Sequence, residues 1–149
     1  MEIEKKFLIK ELPENIDSYP HHDISQGYIS TDPVVRIRQK GQKYILTIKS
    51  SGLLARTEIE KALTKEEFDS LKPMVKGNII EKTRYLIPEK DDLTIELDIF
   101  HGLFEGLIMA EVEFPSIEKA QSYVPRDFFS KEVTDDPAYQ NSSMSQKKF

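Results

Sequence analysis

Charged residues of one sign recur in this sequence as pairs spaced two apart: Glu2 and Glu4, Arg36 and Arg38, Glu58 and Glu60, Lys82 and Arg84, Glu96 and Asp98, Glu111 and Glu113. Lys6 follows the first pair at the same spacing, and Lys49 ends the run Leu46-Thr47-Ile48-Lys49. In an extended strand, side chains two apart point to the same face. Like charges that close repel, so each doublet needs a partner or ligand of opposite sign. Clustered arginine and lysine suit phosphate oxygens, arginine through paired N–H donors and lysine as a point charge. Clustered carboxylates without histidine or cysteine suit hard divalent cations in oxygen coordination, Mg2+ or Mn2+. Both clusters together describe a site for a metal-bound polyphosphate.

The elements that must position these residues are short strands. Period-two alternation predicts them over residues 2–9, 26–30, 34–40, 43–49, 55–61, 78–87, 93–100 and 107–114, with Gly41-Gln42 as a hairpin turn and Ser50-Ser51-Gly52 as another turn. The connections are mostly too short for parallel crossovers, so the strands are expected to be mostly antiparallel. Thr64-Lys65-Glu66-Glu67 has capping-box spacing, which predicts a helix burying Phe68 and Leu71 and disturbed at Pro73. A second helix is expected over 116–123 and a last short one from Asp136-Pro137, while the polar tail 141–149 reads as disordered. Tyr44 and Phe68 are expected to pack, and His21, His22 and His101 to lie at the surface.

Composition narrows the function classes. The chain has 149 residues, 38% hydrophobic and 32% charged, which fits one domain over 1–149 with a real core. A net charge of −5 argues against a general nucleic-acid binder without excluding a local basic cavity. No cysteine is present, so disulfides and thiolate metal sites are out. There is no apolar signal region and no run near the roughly 18 apolar residues of a membrane helix, so a cytoplasmic protein is expected.

Two arrangements are compatible with the charged faces. In one, an antiparallel sheet keeps one wet face, with minor cross-strand pairs such as Glu58 with Lys49. In the other, about eight strands close into a barrel whose lumen admits side chains or one small ligand. The almost wholly ionic parity and the same-sign doublets weigh toward the second. The apolar parity would then face outward under helices such as the one entered at Thr64. Lys40 and Arg56 share the charged parity but lie near strand ends, where solvation is expected.

Taken in order, these stations resemble the CYTH superfamily, the triphosphate tunnel metalloenzymes. Glu2-Ile3-Glu4-Lys5-Lys6 matches the defining Glu-x-Glu-x-Lys signature. Gln26-Gly27-Tyr28, Arg36-x-Arg38, Lys49, Glu58-x-Glu60, Glu81-Lys82-Thr83-Arg84-Tyr85, Glu96-x-Asp98, Glu111-Val112-Glu113-Phe114 and Lys131-Glu132-Val133-Thr134 follow. The resemblance implies a mainly β (α+β) fold, an eight-stranded antiparallel closed β-barrel around a tunnel with a few peripheral helices. It implies a metal-dependent triphosphatase of the short bacterial tripolyphosphatase-like branch, using Mg2+ or Mn2+ to cleave tripolyphosphate to pyrophosphate and phosphate. Carried over by motif, Lys6, Arg36, Arg38, Lys49, Lys82, Arg84 and Lys131 would hold phosphate. Glu2, Glu4, Asp98, Glu111 and Glu113 would bind metal, and Glu58, Glu60, Glu96 and Tyr28 would position the attacking water. Class IV adenylate cyclase, nucleoside or thiamine triphosphatase, and a polyphosphate- or nucleotide-binding barrel without turnover are the alternatives. The expected partner is a small triphosphate, tripolyphosphate or ATP, bound by a monomer or homodimer without nucleic acid or membrane.

Overall fold

The structure, a computed structural model, describes residues 3–50 and 58–149. Glu2, Arg56 and most of the expected turn after Lys49 lie outside the described residues. The strands are β1 (Glu4–Ile9), β2 (His21–Thr31), β3 (Val34–Lys40), β4 (Lys43–Lys49), β5 (Glu58–Leu63), β6 (Lys76–Pro88), β7 (Thr94–His101), β8 (Ile108–Glu113) and β9 (Phe129–Glu132). They hydrogen-bond in the order β5-β4-β3-β2-β6-β7-β8-β1-β9. Each pairing with a described register is antiparallel, as the short connections required.

The expectation of eight strands in a closed barrel is corrected on two points. β9 is a ninth strand, and among the described residues no hydrogen bonds join the end strands β5 and β9. β9 is only four residues long and carries no same-sign doublet, so period-two reasoning passed over it. It pairs with β1 at Phe7↔Glu132 and Ile9↔Phe129, occupying backbone groups that would otherwise form an open edge. β2 also starts earlier than expected, at His21, and buries Ile24.

The chain gathers into two compact units, Asp23–Lys82 with Pro137–Phe149 and Glu2–His22 with Thr83–Asp136. In the first, the hairpin of β3 and β4 turns at Gly41, whose φ of 59° suits glycine. Helix α1 (Lys65–Leu71) starts at the predicted capping box: Glu67 N–H donates to Thr64 Oγ1 at 3.1 Å, and Thr64 N–H donates to Glu67 Oε1 at 2.9 Å. It packs Phe68 on Tyr44, ring centroids 5.0 Å apart.

The tail corrects a further expectation. A 3-10 turn at Pro137–Tyr139 precedes a short helix over Asn141–Ser145, in which Met144 and Ser145 are buried. Asn78 Nδ2 donates to the carbonyls of Met144 at 3.1 Å and Lys147 at 2.7 Å, so a side chain of β6 holds the end of the helix and the residues just after it. Polar composition suggested disorder, but the dock on β6 supplies the order.

In the second unit, Phe7 of β1, Ile95 and Leu97 of β7, and Ala110 and Val112 of β8 form the core with Ile87, Phe114 and Phe129. Helix α2 (Ile117–Ser122), capped by Ser116 Oγ accepting from Lys119 N–H at 3.2 Å, adds Ala120. Burying each large side chain contributes about 1.5–3 kcal/mol. No helix among the described residues is long and apolar enough to cross a membrane.

Candidate active site

Register decides which residues share a face. In the second unit Glu4 pairs with Glu113, Lys6 with Glu111, and Glu111 with Glu96. Directly opposed residues of antiparallel strands project to the same side, and Asp98 is two along from Glu96. Glu4, Lys6, Glu96, Asp98, Glu111 and Glu113 therefore share one face. The intervening Phe7, Ile95, Leu97, Ala110 and Val112 take the other, which is the core. The predicted parity holds on both faces of these three strands.

Arg84 of β6 is tied into this face by three bonds. Its Nε and Nη2 donate to the two oxygens of Asp98 at 2.8 and 2.9 Å, and Nη1 donates to Glu96 Oε2 at 3.0 Å. Burial alone would push the guanidinium toward neutrality, but the Asp98 bonds and the charges of Asp98, Glu96 and Glu111 outweigh it and hold its pKa above the ordinary value. Three of an arginine's five N–H donors are thus spent on carboxylates. Lys6 Nζ lies 3.8 Å from Glu111 Oε1. The Lys6 backbone is clamped from the Glu132-Val133-Thr134 side, its N–H donating to Thr134 Oγ1 at 3.1 Å and its carbonyl accepting from Val133 N–H at 2.8 Å.

The first unit presents a second polar face by the same logic. Gln26 pairs with Arg38, Tyr28 with Arg36, Arg36 with Thr47, Thr47 with Glu60, and Lys49 with Glu58. Arg38 Nε donates to Gln26 Oε1 at 2.7 Å, and Arg36 Nη2 donates to Thr47 Oγ1 at 3.3 Å. Among the described residues, Arg36 Nε and Gln26 Nε2 are buried without a hydrogen-bond partner. Each such donor costs about 1–3 kcal/mol if nothing arrives to accept it.

Burial separates the two arrangements left open by the sequence. Lys6 is 4% exposed, Gln26 1%, Thr47 0%, Lys82 1%, Arg84 7% and Asp98 2%. A solvated wet face does not bury lysines and arginines to that degree. These faces are built to hold charge away from water, which is costly unless partners or a ligand answer it.

The structure therefore groups Tyr28, Arg36, Arg38, Lys49, Glu58 and Glu60 on one unit's polar face, and Glu4, Lys6, Arg84, Glu96, Asp98, Glu111 and Glu113 on the other's. Lys82 is buried on β6, at the end of the first unit. Glu58, Glu60 and Glu113 are exposed, and Lys131 lies exposed on β9. Gln26 and Thr47 carry no charge, so a search for doublets misses both. His21 stacks on Tyr85 at 4.9 Å and His101 Nε2 meets Thr83 Oγ1 at 2.8 Å, both as exposed residues. A cavity of about 390 Å3, lined in part by Glu89, Lys119, Tyr123 and Arg126, contains none of the expected site residues.

The donor set fits a hard divalent cation in kind: Glu4, Glu111 and Glu113 offer only carboxylate oxygens on adjoining strands. Among the described residues no three histidine, cysteine or acidic side chains converge closely enough to ligate one ion together. Glu2, the remaining member of the signature, lies outside them.

No protein-family model matches the sequence. Whole-chain similarity does. An inorganic triphosphatase of Nitrosomonas europaea is 38% identical over 148 residues, covering 97% of this chain and 96% of the relative. One of Acetivibrio thermocellus is 36% identical over 152 residues, covering 96% and 92%. The crystal structure of the inorganic triphosphatase NE1496 superposes with a TM-score of 0.80 at 35% identity, over 99% of this chain and 96% of that one. With that identity over nearly the full length, the chain belongs to the inorganic triphosphatase family within the CYTH superfamily.

Proposed function

We propose that the protein hydrolyses inorganic tripolyphosphate to pyrophosphate and orthophosphate in the cytoplasm, with Mg2+ or Mn2+ as cofactor. The observation that carries this reading is the pair of buried donors left unanswered among the described residues, Arg36 Nε and Gln26 Nε2, beside the cation Arg38. A short polyanion rich in acceptor oxygens answers both the charge and the donors. The relatives named inorganic triphosphatase support an inorganic triphosphate as the substrate.

In this reading Arg36, Arg38, Lys49, Lys82 and Lys6 bind phosphate oxygens and spread the negative charge that builds as the phosphorus–oxygen bond breaks. Arg84 holds Asp98 and Glu96 in place and keeps two N–H donors for phosphate. Lys131 is a further cation for the polyanion. Glu2, Glu4, Asp98, Glu111 and Glu113 are the carboxylates that would hold the divalent cation. When bound, that cation neutralises phosphate charge and polarises the bond to be broken. Water attacks the terminal phosphorus, the bond to the bridging oxygen breaks, and pyrophosphate leaves. Glu58, Glu60 and Glu96, with the hydroxyl of Tyr28, orient that water, and a carboxylate of this set takes its proton. The catalysis needs positioning and charge rather than a covalent nucleophile.

The test is a substrate panel of tripolyphosphate, ATP, GTP and thiamine triphosphate, each with Mg2+ and with Mn2+. Phosphate release should be fastest from tripolyphosphate. Cyclic AMP from ATP would point to a cyclase instead, and tight binding without turnover to a binding barrel.

A further inference from the structure

The arginines on the two polar faces are held by different chemistry. Arg84 is fixed by the carboxylates of Asp98 and Glu96. Arg38 instead gives its Nε–H to the amide oxygen of Gln26, and Arg36 gives an Nη2–H to the hydroxyl of Thr47. Gln26 and Thr47 come from β2 and β4, the strands flanking β3, and pair in register with the arginines they hold. A neutral acceptor fixes the direction of a guanidinium without cancelling its charge, which suits a residue that must still receive an anion.

Gln26 does more than hold. With Oε1 committed to Arg38 at 2.7 Å, the amide cannot be turned over, because Nε2 would then face the Arg38 Nε–H donor to donor. The orientation is therefore set by chemistry, and Nε2 points away from Arg38. That nitrogen carries two N–H donors, is buried in a residue 1% exposed, and has no hydrogen-bond partner among the described residues. Arg36 Nε, on the neighbouring strand and the same face, is buried and likewise has no hydrogen-bond partner among the described residues. Two unanswered donors on adjacent strands ask for an acceptor that brings several oxygens at once.

We propose that Gln26 is a substrate-binding residue of two functions: its Oε1 sets the direction of Arg38, and its Nε2 donates to a phosphate oxygen of the bound triphosphate. This rests on the triphosphatase reading and assigns to that site a residue beyond its charged doublets. An amide can fill both roles. A carboxylate would keep the bond to Arg38 but remove the donor and set a negative charge against the polyanion.

The experiment measures KM for tripolyphosphate and the thermal shift produced by tripolyphosphate in the presence of EDTA, for wild type, Gln26→Glu and Gln26→Met. Losing a hydrogen bond to a charged group should raise KM about 10-fold to 100-fold in both variants and shrink the ligand-induced shift. The unliganded melting temperature of Gln26→Glu should stay near that of wild type, because the acceptor for Arg38 Nε is kept, whereas Gln26→Met removes that acceptor along with the unanswered donor. A purely structural role predicts the reverse, a lower unliganded melting temperature with KM unchanged. KM and ligand-induced shift within twofold of wild type would overturn the proposal. Should Gln26→Met fail to fold, Gln26→Glu, which keeps the Arg38 acceptor, decides alone. A wild type that neither binds nor cleaves tripolyphosphate sinks the triphosphatase reading and this inference with it. Normal wild-type binding matched by both variants sinks this inference only.

Discussion

Arg84 and its two carboxylates show how unequal the members of one ion cluster can be. Asp98 makes two bonds to the guanidinium and is 2% exposed, whereas the Glu96 side chain makes one and is 33% exposed. Removing one partner of a buried pair leaves an uncompensated charge, at a cost of about 3–5 kcal/mol. Asp98→Ala should lose stability on that scale in urea unfolding, and Glu96→Ala about 1 kcal/mol or less, since water screens that pair. Equal losses would show that the cluster does not depend on burial. Tyr123 makes a pH-dependent contribution of known sign. Burial first, then its bond to Glu89 Oε2 at 2.9 Å and the charge of Glu89, raise the phenol's pKa against the opposing charge of Arg126. A raised folded-state pKa means stability that is complete below the phenol's ordinary value of about 10 and is lost as pH climbs past it. The stability gap between wild type and Tyr123→Phe should be constant below about pH 10 and narrow above it. A gap that widens with alkali would contradict the assignment.

At the level of elements, the dock of the C-terminal helix on β6 depends on one glycine. Gly77 has φ of 80°, and a Cβ there would collide with the backbone carbonyl of Ser145. Gly77→Ala should therefore cost about 1–3 kcal/mol and make the segment after Tyr139 the first cleaved in limited proteolysis. An unchanged cleavage pattern would show that the bonds of Asn78 and Gln146 hold the dock without the close approach at Gly77. That dock was not legible in the sequence, because its parts are a polar helix, a glycine and an asparagine far apart in the chain. What was legible is local and periodic. The capping box at Thr64 forms as its spacing required, and Glu4 and Lys6 of β1 and the doublets of β3, β7 and β8 fall on the predicted face. β9 escaped because four residues carry too little alternation. Gln26 and Thr47 escaped because a neutral polar side chain on a strand looks the same whether it faces water or grips an arginine. Only register and burial separate those cases.

Across the whole molecule, a net charge of −5 coexists with buried cations on polar faces that lie opposite apolar packing. Net charge therefore does not predict what this protein binds; the local placement of Lys6, Arg36, Arg38 and Lys82 does. Each unit carries its own polar face, with Gln26 and Thr47 bonded to arginines on one and Asp98 and Glu96 bonded to Arg84 on the other. The most direct test follows orthophosphate and pyrophosphate release from tripolyphosphate by wild type and by Arg36→Gln, with Mg2+ and with Mn2+, from neutral to alkaline pH. Wild type should release the two products in equal amounts, and Arg36→Gln should be slower by roughly 100-fold or more with an unchanged melting temperature. Release at equal rates by the two proteins, or no release by wild type with either metal, would contradict the assignment.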